Sequence, residues 1–183
     1  MNDTPTLFEK SRQVQAESDA LLEESSVVRT LEGYGQVRFT GSYAYHLMVN
    51  RDIDIYVINA ATSRGGVTEA LSTFIRQGFF HGCLYYDFVD FTQERFPYGY
   101  YIGLKTPFRG EKWKIDIWFL WQDIPAREPL IQDLRALDEG KRATILEIKR
   151  YVAEHELDIA SIKIYNAVLR EGVSDIHAFL TRL

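Results

Sequence analysis

Apolar residues recur along this chain at two different spacings, and the switches between them mark out its elements. Leu7, Val14, Leu21 and Val28 follow one another at seven-residue intervals, joined by Leu22 and Leu31. That stripe predicts an amphipathic helix from Leu7 to about Leu31 with a narrow apolar face, stopped by Gly33-Tyr34-Gly35. Val37–Thr40 then reads as a short strand running into Gly41-Ser42. Tyr43 to about Val49 reads as a short helix, with Ala44, Leu47 and Met48 at helical spacing. In Asp52–Ile58 the spacing drops to two and the composition becomes that of a strand.

Ser63-Arg64-Gly65-Gly66 reads as a loop, followed by a helix over Val67–Gln77 whose inward positions are Val67, Ala70, Leu71, Phe74 and Ile75. Gly78 ends it. Three strand-like runs come next, Cys83–Phe91, Tyr98–Lys105 and Lys112–Trp121, with breaks at Pro97 and at the stretch from Pro107 to Gly110. After Pro125 the pattern is helical to the end: roughly Pro129–Leu137, Lys141–Glu154 and Ile159–Arg170, then a last helix capped by Ser174 and carrying Ile176, Phe179, Leu180 and Leu183. The expected fold class is α/β (α+β), a mixed sheet with helices on one face. The expected division is 1–125 for the sheet core with its N-terminal helix and 126–183 for a helical region.

The chain has 183 residues, enough for one such core with a helical annex. Hydrophobic residues make up 46% and aromatics 14%, so there is ample material to bury. With 26 acidic against 21 basic residues the formal net charge is −5, which argues against a protein that coats a nucleic-acid backbone. No nucleic-acid partner is expected. Cys83 is the only cysteine, so neither an intrachain disulfide nor a cysteine metal cluster arises. Met1-Asn2-Asp3-Thr4-Pro5 lacks the basic start and apolar stretch of a signal peptide. No later stretch is long enough to span a bilayer. The expectation is a soluble, cytoplasmic protein with no membrane partner.

The chemistry lies where the strand pattern carries acids. Side chains alternate across a strand, so Asp52 and Asp54 share one face while Ile53, Ile55 and Val57 share the other. The same alternation puts Lys112, Lys114 and Asp116 together, opposite Trp113, Ile115, Ile117 and Phe119. If the two strands are neighbours, three carboxylates and two ammonium groups meet. Crowded carboxylates repel unless a cation joins them. Magnesium suits hard oxygen ligands and is usually held by one or two carboxylates plus substrate phosphates. Gly41-Ser42, ten residues before Asp52, lets phosphate oxygens approach the main chain, and the Ser42 hydroxyl can donate to a terminal phosphate.

Gly-Ser, a short helix, Asp-x-Asp in a strand and a third acid in a later strand resemble the signature of the polymerase-beta-like nucleotidyltransferase superfamily. The matching residues are Gly41, Ser42, Asp52, Asp54 and Asp116. The stretch from Gly41 to Ile55 is most similar to small bacterial members, the antibiotic nucleotidylyltransferases and minimal nucleotidyltransferases. The resemblance covers about the central half of the chain.

It implies magnesium-dependent transfer of a nucleoside monophosphate from an NTP to a hydroxyl of a small-molecule acceptor. Asp52 and Asp54 would hold one or two magnesium ions against the triphosphate. Asp116 would share a metal or accept the proton of the attacking hydroxyl. Lys114, with Lys112 or Arg51, would neutralise the departing phosphates. Two alternatives stand beside this: nucleotidylation of a partner protein, as in a toxin–antitoxin pair, and a nucleotide-binding regulatory module without turnover. No glycine-lysine-serine/threonine phosphate loop is present.

Each residue also has a plainer reading. Acids alternating with isoleucines form the solvated face of many half-buried strands. Lys112 and Lys114 fit edge-strand charges that deter aggregation, and Arg51 fits a strand flank. His46 suits surface or packing duty, and His81, His155 and His177 lack metal-ligand spacing. Cys83 suits a strand as a small hydrophobe. The aromatic run Tyr85, Tyr86, Phe88, Phe91, Phe96, Tyr98, Tyr100 and Tyr101 fits core and cross-strand packing more readily than base stacking.

Overall fold

The computed structural model describes residues 6–124 and 128–183. The N-terminal pentapeptide and Pro125, on which the expected absence of a leader and the expected domain boundary rest, lie outside the described residues. In order the elements are α1 (Leu7–Ser25), α2 (Val27–Glu32), β1 (Gln36–Thr40), α3 (Gly41–Ala44), β2 (Asp52–Ile58), α4 (Arg64–Gln77) and β3 (Gly82–Asp87). There follow β4 (Tyr100–Phe108), β5 (Glu111–Leu120), α5 (Glu128–Arg135), α6 (Glu139–Glu154), α7 (Ser161–Arg170) and α8 (Ile176–Leu180). No helix among the described residues is long and apolar enough to cross a membrane.

The chain divides into two compact units. One comprises 17–43 and 51–123 and contains the whole sheet, in the order β1-β2-β5-β4-β3. β2 and β5 run parallel; every other pair is antiparallel. Alternation sends Ile53, Ile55, Ile102, Leu104, Ile115 and Ile117 to one face, where each is fully buried. α4 lies against β3 and β4 through Val67, Ala70 and Phe74, and α2 meets β1 and α4. β4 turns into β5 through Arg109 and Gly110, at φ 51° and 82°, the paired positive φ values that suit a tight hairpin.

The other unit comprises 1–16, 44–50 and 124–183. Its core gathers Tyr45 and Leu47 with Ile145, Ile148, Ile164, Val168 and Phe179. Segment 44–50 is tied to α6 by cations. Lys149, only 5% exposed, donates to the Leu47 carbonyl at 2.9 Å, and Arg142 donates to the carbonyls of Tyr45 and His46 at 2.9 and 3.0 Å.

Several boundaries differ from the sequence reading, each for a local reason. The single helix over Leu7–Leu31 is two, because Ser26 takes the left-handed conformation at φ 53° and Ser25 bonds back to the Leu22 carbonyl. The break rotates the stripe, so Val27 is buried in place of Val28. The helix expected over Tyr43–Val49 is one turn, Gly41–Ala44, and His46 has positive φ. The Ser63–Gly66 loop is a helix start: Ser63 accepts from the Gly66 N–H as N-cap. Asp87 ends β3 before Phe91 by accepting from the N–H groups of Val89 and Asp90. Pro107 sits inside β4 rather than breaking it. Asp175, not Ser174, caps α8, accepting from Ala178 at 2.8 Å.

Candidate functional site

The face of the sheet opposite the isoleucines carries three rows of side chains, each running across the strands. Register makes Asp54 the direct partner of Asp116 across the parallel pair β2–β5, with Thr40 beyond Asp54 and Gly103 and Leu84 beyond Asp116. One pleat along, towards the start of β2, Asp52 stands opposite Lys114, and Lys114 opposite Lys105. One pleat the other way, Arg38, Tyr56, Trp118, Tyr101 and Tyr86 line up across all five strands. Strands lie about 4.8 Å apart and same-face residues about 6.6 Å apart along a strand, so the acid row is flanked closely by a lysine row and an aromatic row.

Gly41 links the turn to the acids. It has φ +63°, and a Cβ there would come within 3.0 Å of Asp54 Cγ and meet the Oδ2 atom more closely still. The main chain of the Gly-Ser turn therefore lies directly against the Asp54 carboxylate, a fit open only to glycine. Ser42 is buried in the one-turn helix that follows.

Asp116 is 15% exposed and doubly held. The Lys114 ammonium approaches its Oδ2 at 2.7 Å, and the Tyr101 hydroxyl donates to its Oδ1. Burial pushes the Tyr101 hydroxyl far up from the usual phenol range, reinforced by the hydrogen bond to Asp116 and by the charges of Asp116 and Asp54. Gly103 makes room for this contact, since a Cβ there would sit 2.6 Å from the Tyr101 hydroxyl oxygen. Asp52 Oδ1 is buried and has no hydrogen-bond partner.

Of the residues expected at the site, Gly41, Asp54, Asp116 and Lys114 are thus brought together, with Asp52 one pleat along. Arg51 is drawn elsewhere, to Glu17 at 3.0 Å and Glu111 at 3.5 Å. Lys112 stays exposed on the same face as Lys114. Among the described residues no group of three or more His, Cys, Asp and Glu closes around a single point. The reason is visible in the register: Lys114, not a third acid, faces Asp52, and Asp116 is already matched by Lys114 and Tyr101.

The donor set nevertheless fits a hard cation shared with a substrate. The unpartnered Asp52 oxygen and the neighbouring Asp54 offer carboxylate oxygens of the kind magnesium takes alongside phosphates and water. Tyr101 and Gly103 are the participants that sequence reasoning passed over. An isolated glycine inside a strand pattern signals a close approach, and here the approach is that of Tyr101.

No protein-family model matches the chain, and no curated protein matches it. Solved structures do. The chain is similar to a cytoplasmic RNA terminal U-transferase (17% identity, TM-score 0.60), covering 86% of this chain and 47% of that one. It is also similar to the polymerase core of TRAMP, an RNA surveillance complex (17% identity, TM-score 0.59), covering 91% of this chain and 50% of that one. The chain thus spans about half the length of either. The exclusion of nucleic acid drawn from the acidic balance does not stand, because this fold is shared with proteins described by their work on RNA. Net charge averages over the whole surface, whereas binding answers to the local field. The five-stranded mixed sheet with its helices is thus a nucleotidyltransferase-like fold, shared with these two structures.

Proposed function

We propose that this chain transfers a nucleoside monophosphate from an NTP to an acceptor hydroxyl, with magnesium. The observation that carries the reading is the placement of Asp54 beside Asp116 with the Gly41 main chain against it. Asp52 and Asp54 would hold the metal together with triphosphate oxygens; when bound, it supplies charge neutralisation at the phosphates. Gly41 and Ser42 bring main-chain and hydroxyl donors to the outer phosphates. Asp116, oriented by Tyr101 and Lys114, accepts the proton of the acceptor hydroxyl. The acceptor oxygen bonds to the α-phosphorus, the bond from that phosphorus to the bridging oxygen of the β-phosphate breaks, and pyrophosphate leaves. Lys114 lies beside Asp116, where it offsets phosphate charge.

The likeness to RNA-directed structures makes a polynucleotide end one acceptor to test; a small hydroxyl compound is the other. Incubation with α-labelled NTP and magnesium, against an RNA oligomer with a free 3′ hydroxyl and a panel of small hydroxyl compounds, reads out the class. The expected result is labelled product in one arm and none with Asp54→Asn. Calorimetry showing no magnesium-dependent NTP binding removes the enzyme reading. Binding without pyrophosphate release against any acceptor identifies a regulatory module.

A further inference from the structure

The aromatic residues of the sequence run are not simply core. Tyr86, Phe88, Phe96, Tyr101 and Trp118 form one cluster on the acid-bearing face. Trp118 lies 5.3 Å from Phe88, 5.8 Å from Phe96 and 5.1 Å from Tyr101, measured between ring centroids, and Tyr86 lies 5.9 Å from both Phe88 and Tyr101. Trp118, Phe88 and Tyr101 are buried, whereas Tyr86 is 52% exposed. The cluster of tilted rings thus ends in one open ring, and it touches Asp116 through the Tyr101 hydroxyl.

The row next to these rings is the acid row, and the lysines lie on its far side. Lys105 stands opposite Lys114, an arrangement of like charges that costs stability. Lys114 has Asp116, but Lys105 and Lys112 make no ion pair among the described residues. At the loop, the Arg95 guanidinium lies 4.6 Å from the Phe96 ring centre. An exposed aromatic ring with a guanidinium nearby is a combination that single-stranded nucleic acids use, the ring for a base and the cation for a phosphate.

The position relative to the acids says which part of a reaction this surface serves. In phosphoryl transfer the attacking and leaving oxygens lie roughly in line. The Gly41 turn, at the β1 side of Asp54, is the leaving side; β4 and β3 lie on the far side of Asp116. We infer that Tyr86 and the rings behind it form a stacking platform for the terminal base of a single-stranded polynucleotide acceptor, its hydroxyl directed at Asp116. The direction of the hydroxyl rests on the transferase reading above; the platform itself does not.

Binding therefore tests it separately from turnover. A fluorescent single-stranded RNA oligomer with a free 3′ hydroxyl is titrated against the full chain and against Tyr86→Ala, Tyr86→Phe and Tyr86→Trp. The expected result is about a tenfold loss of affinity for Tyr86→Ala, with Tyr86→Phe and Tyr86→Trp retaining it and all thermal midpoints unchanged. Arg95→Gln weakens binding and flattens its salt dependence. Affinity unchanged in Tyr86→Ala, or no binding of the oligomer by the wild-type chain, overturns the platform. Equal affinity for a free nucleoside overturns the polynucleotide assignment. Oligomer binding that depends on Tyr86 without any nucleotide transfer upholds the platform while removing the transferase reading.

Discussion

Gly41 and Asp54 are in direct main-chain to side-chain contact, so the phosphate turn and the first acid strand form one unit of structure. A side chain at 41 is penalised twice, by the positive φ and by collision with the carboxylate. Gly41→Ala is expected to cost about 1 kcal/mol of stability from the left-handed backbone. Nucleotide transfer should fall by about a hundredfold as the Asp54 carboxylate is displaced. Thermal melts and magnesium-dependent NTP titrations check the two effects; full NTP affinity in this variant would sever the turn from the site.

Asp54→Asn removes one of two carboxylates that face each other across β2 and β5. Relief of their repulsion should leave the melting temperature unchanged or raised. Transfer should drop by about a hundredfold or more. Paired melts and initial rates decide this, and a destabilised but active variant would show that Asp54 serves the fold alone.

Tyr101 leaves a signature at alkaline pH. Its hydroxyl in the folded chain titrates above the unfolded value, so the folded state keeps a proton that the unfolded state releases. The stability this contributes is complete below the ordinary tyrosine value of 10.0 and is lost as pH rises from there through the folded value. Tyr43, raised by burial and its bond to Asp19, and Tyr85 act in the same sense. Tyr101→Phe should therefore flatten the decline of stability above that pH without abolishing it. Urea titrations at stepped alkaline pH measure the slope, and an unaltered slope would contradict the burial of this hydroxyl.

Lys149 is buried with its ammonium on the Leu47 carbonyl and near the Tyr165 hydroxyl. Lys149→Met keeps the aliphatic stem but leaves that carbonyl unsatisfied, at a cost of about 1–3 kcal/mol. Equilibrium denaturation of the full chain should show the shift. Unchanged stability would mean that water or another donor replaces the ammonium.

Much of the fold was legible because the sheet strands carry strict alternation: Ile53, Ile55, Ile115 and Ile117 could face only a core, which forces Asp54 and Asp116 outward. What alternation does not encode is register. Nothing in the spacing says that Asp54, rather than Asp52, faces Asp116, or that Lys114 occupies the place opposite Asp52. Side-chain caps were equally obscure. Thr6 and Glu9 close a reciprocal cap at the start of α1, and Ser63 starts α4 over two glycines. In both cases a few polar atoms outweigh local propensity. The aromatic run was ambiguous because Tyr85 and Tyr86 are adjacent in sequence yet point to opposite faces, one stacked on Tyr100, the other beside Tyr101.

The parallel pairing of β2 with β5 has a kinetic corollary. β4 and β5 are joined by a two-residue turn and can zip locally, as can β1 with β2 across a modest loop. Asp54 meets Asp116 only when these two separately formed ribbons dock edge to edge, a contact between distant parts of the chain that loop closure makes slow. The topology thus predicts that the carboxylate pair assembles last, and a nascent chain still missing β5 holds every residue of the Asp-x-Asp strand without Asp116 beside it.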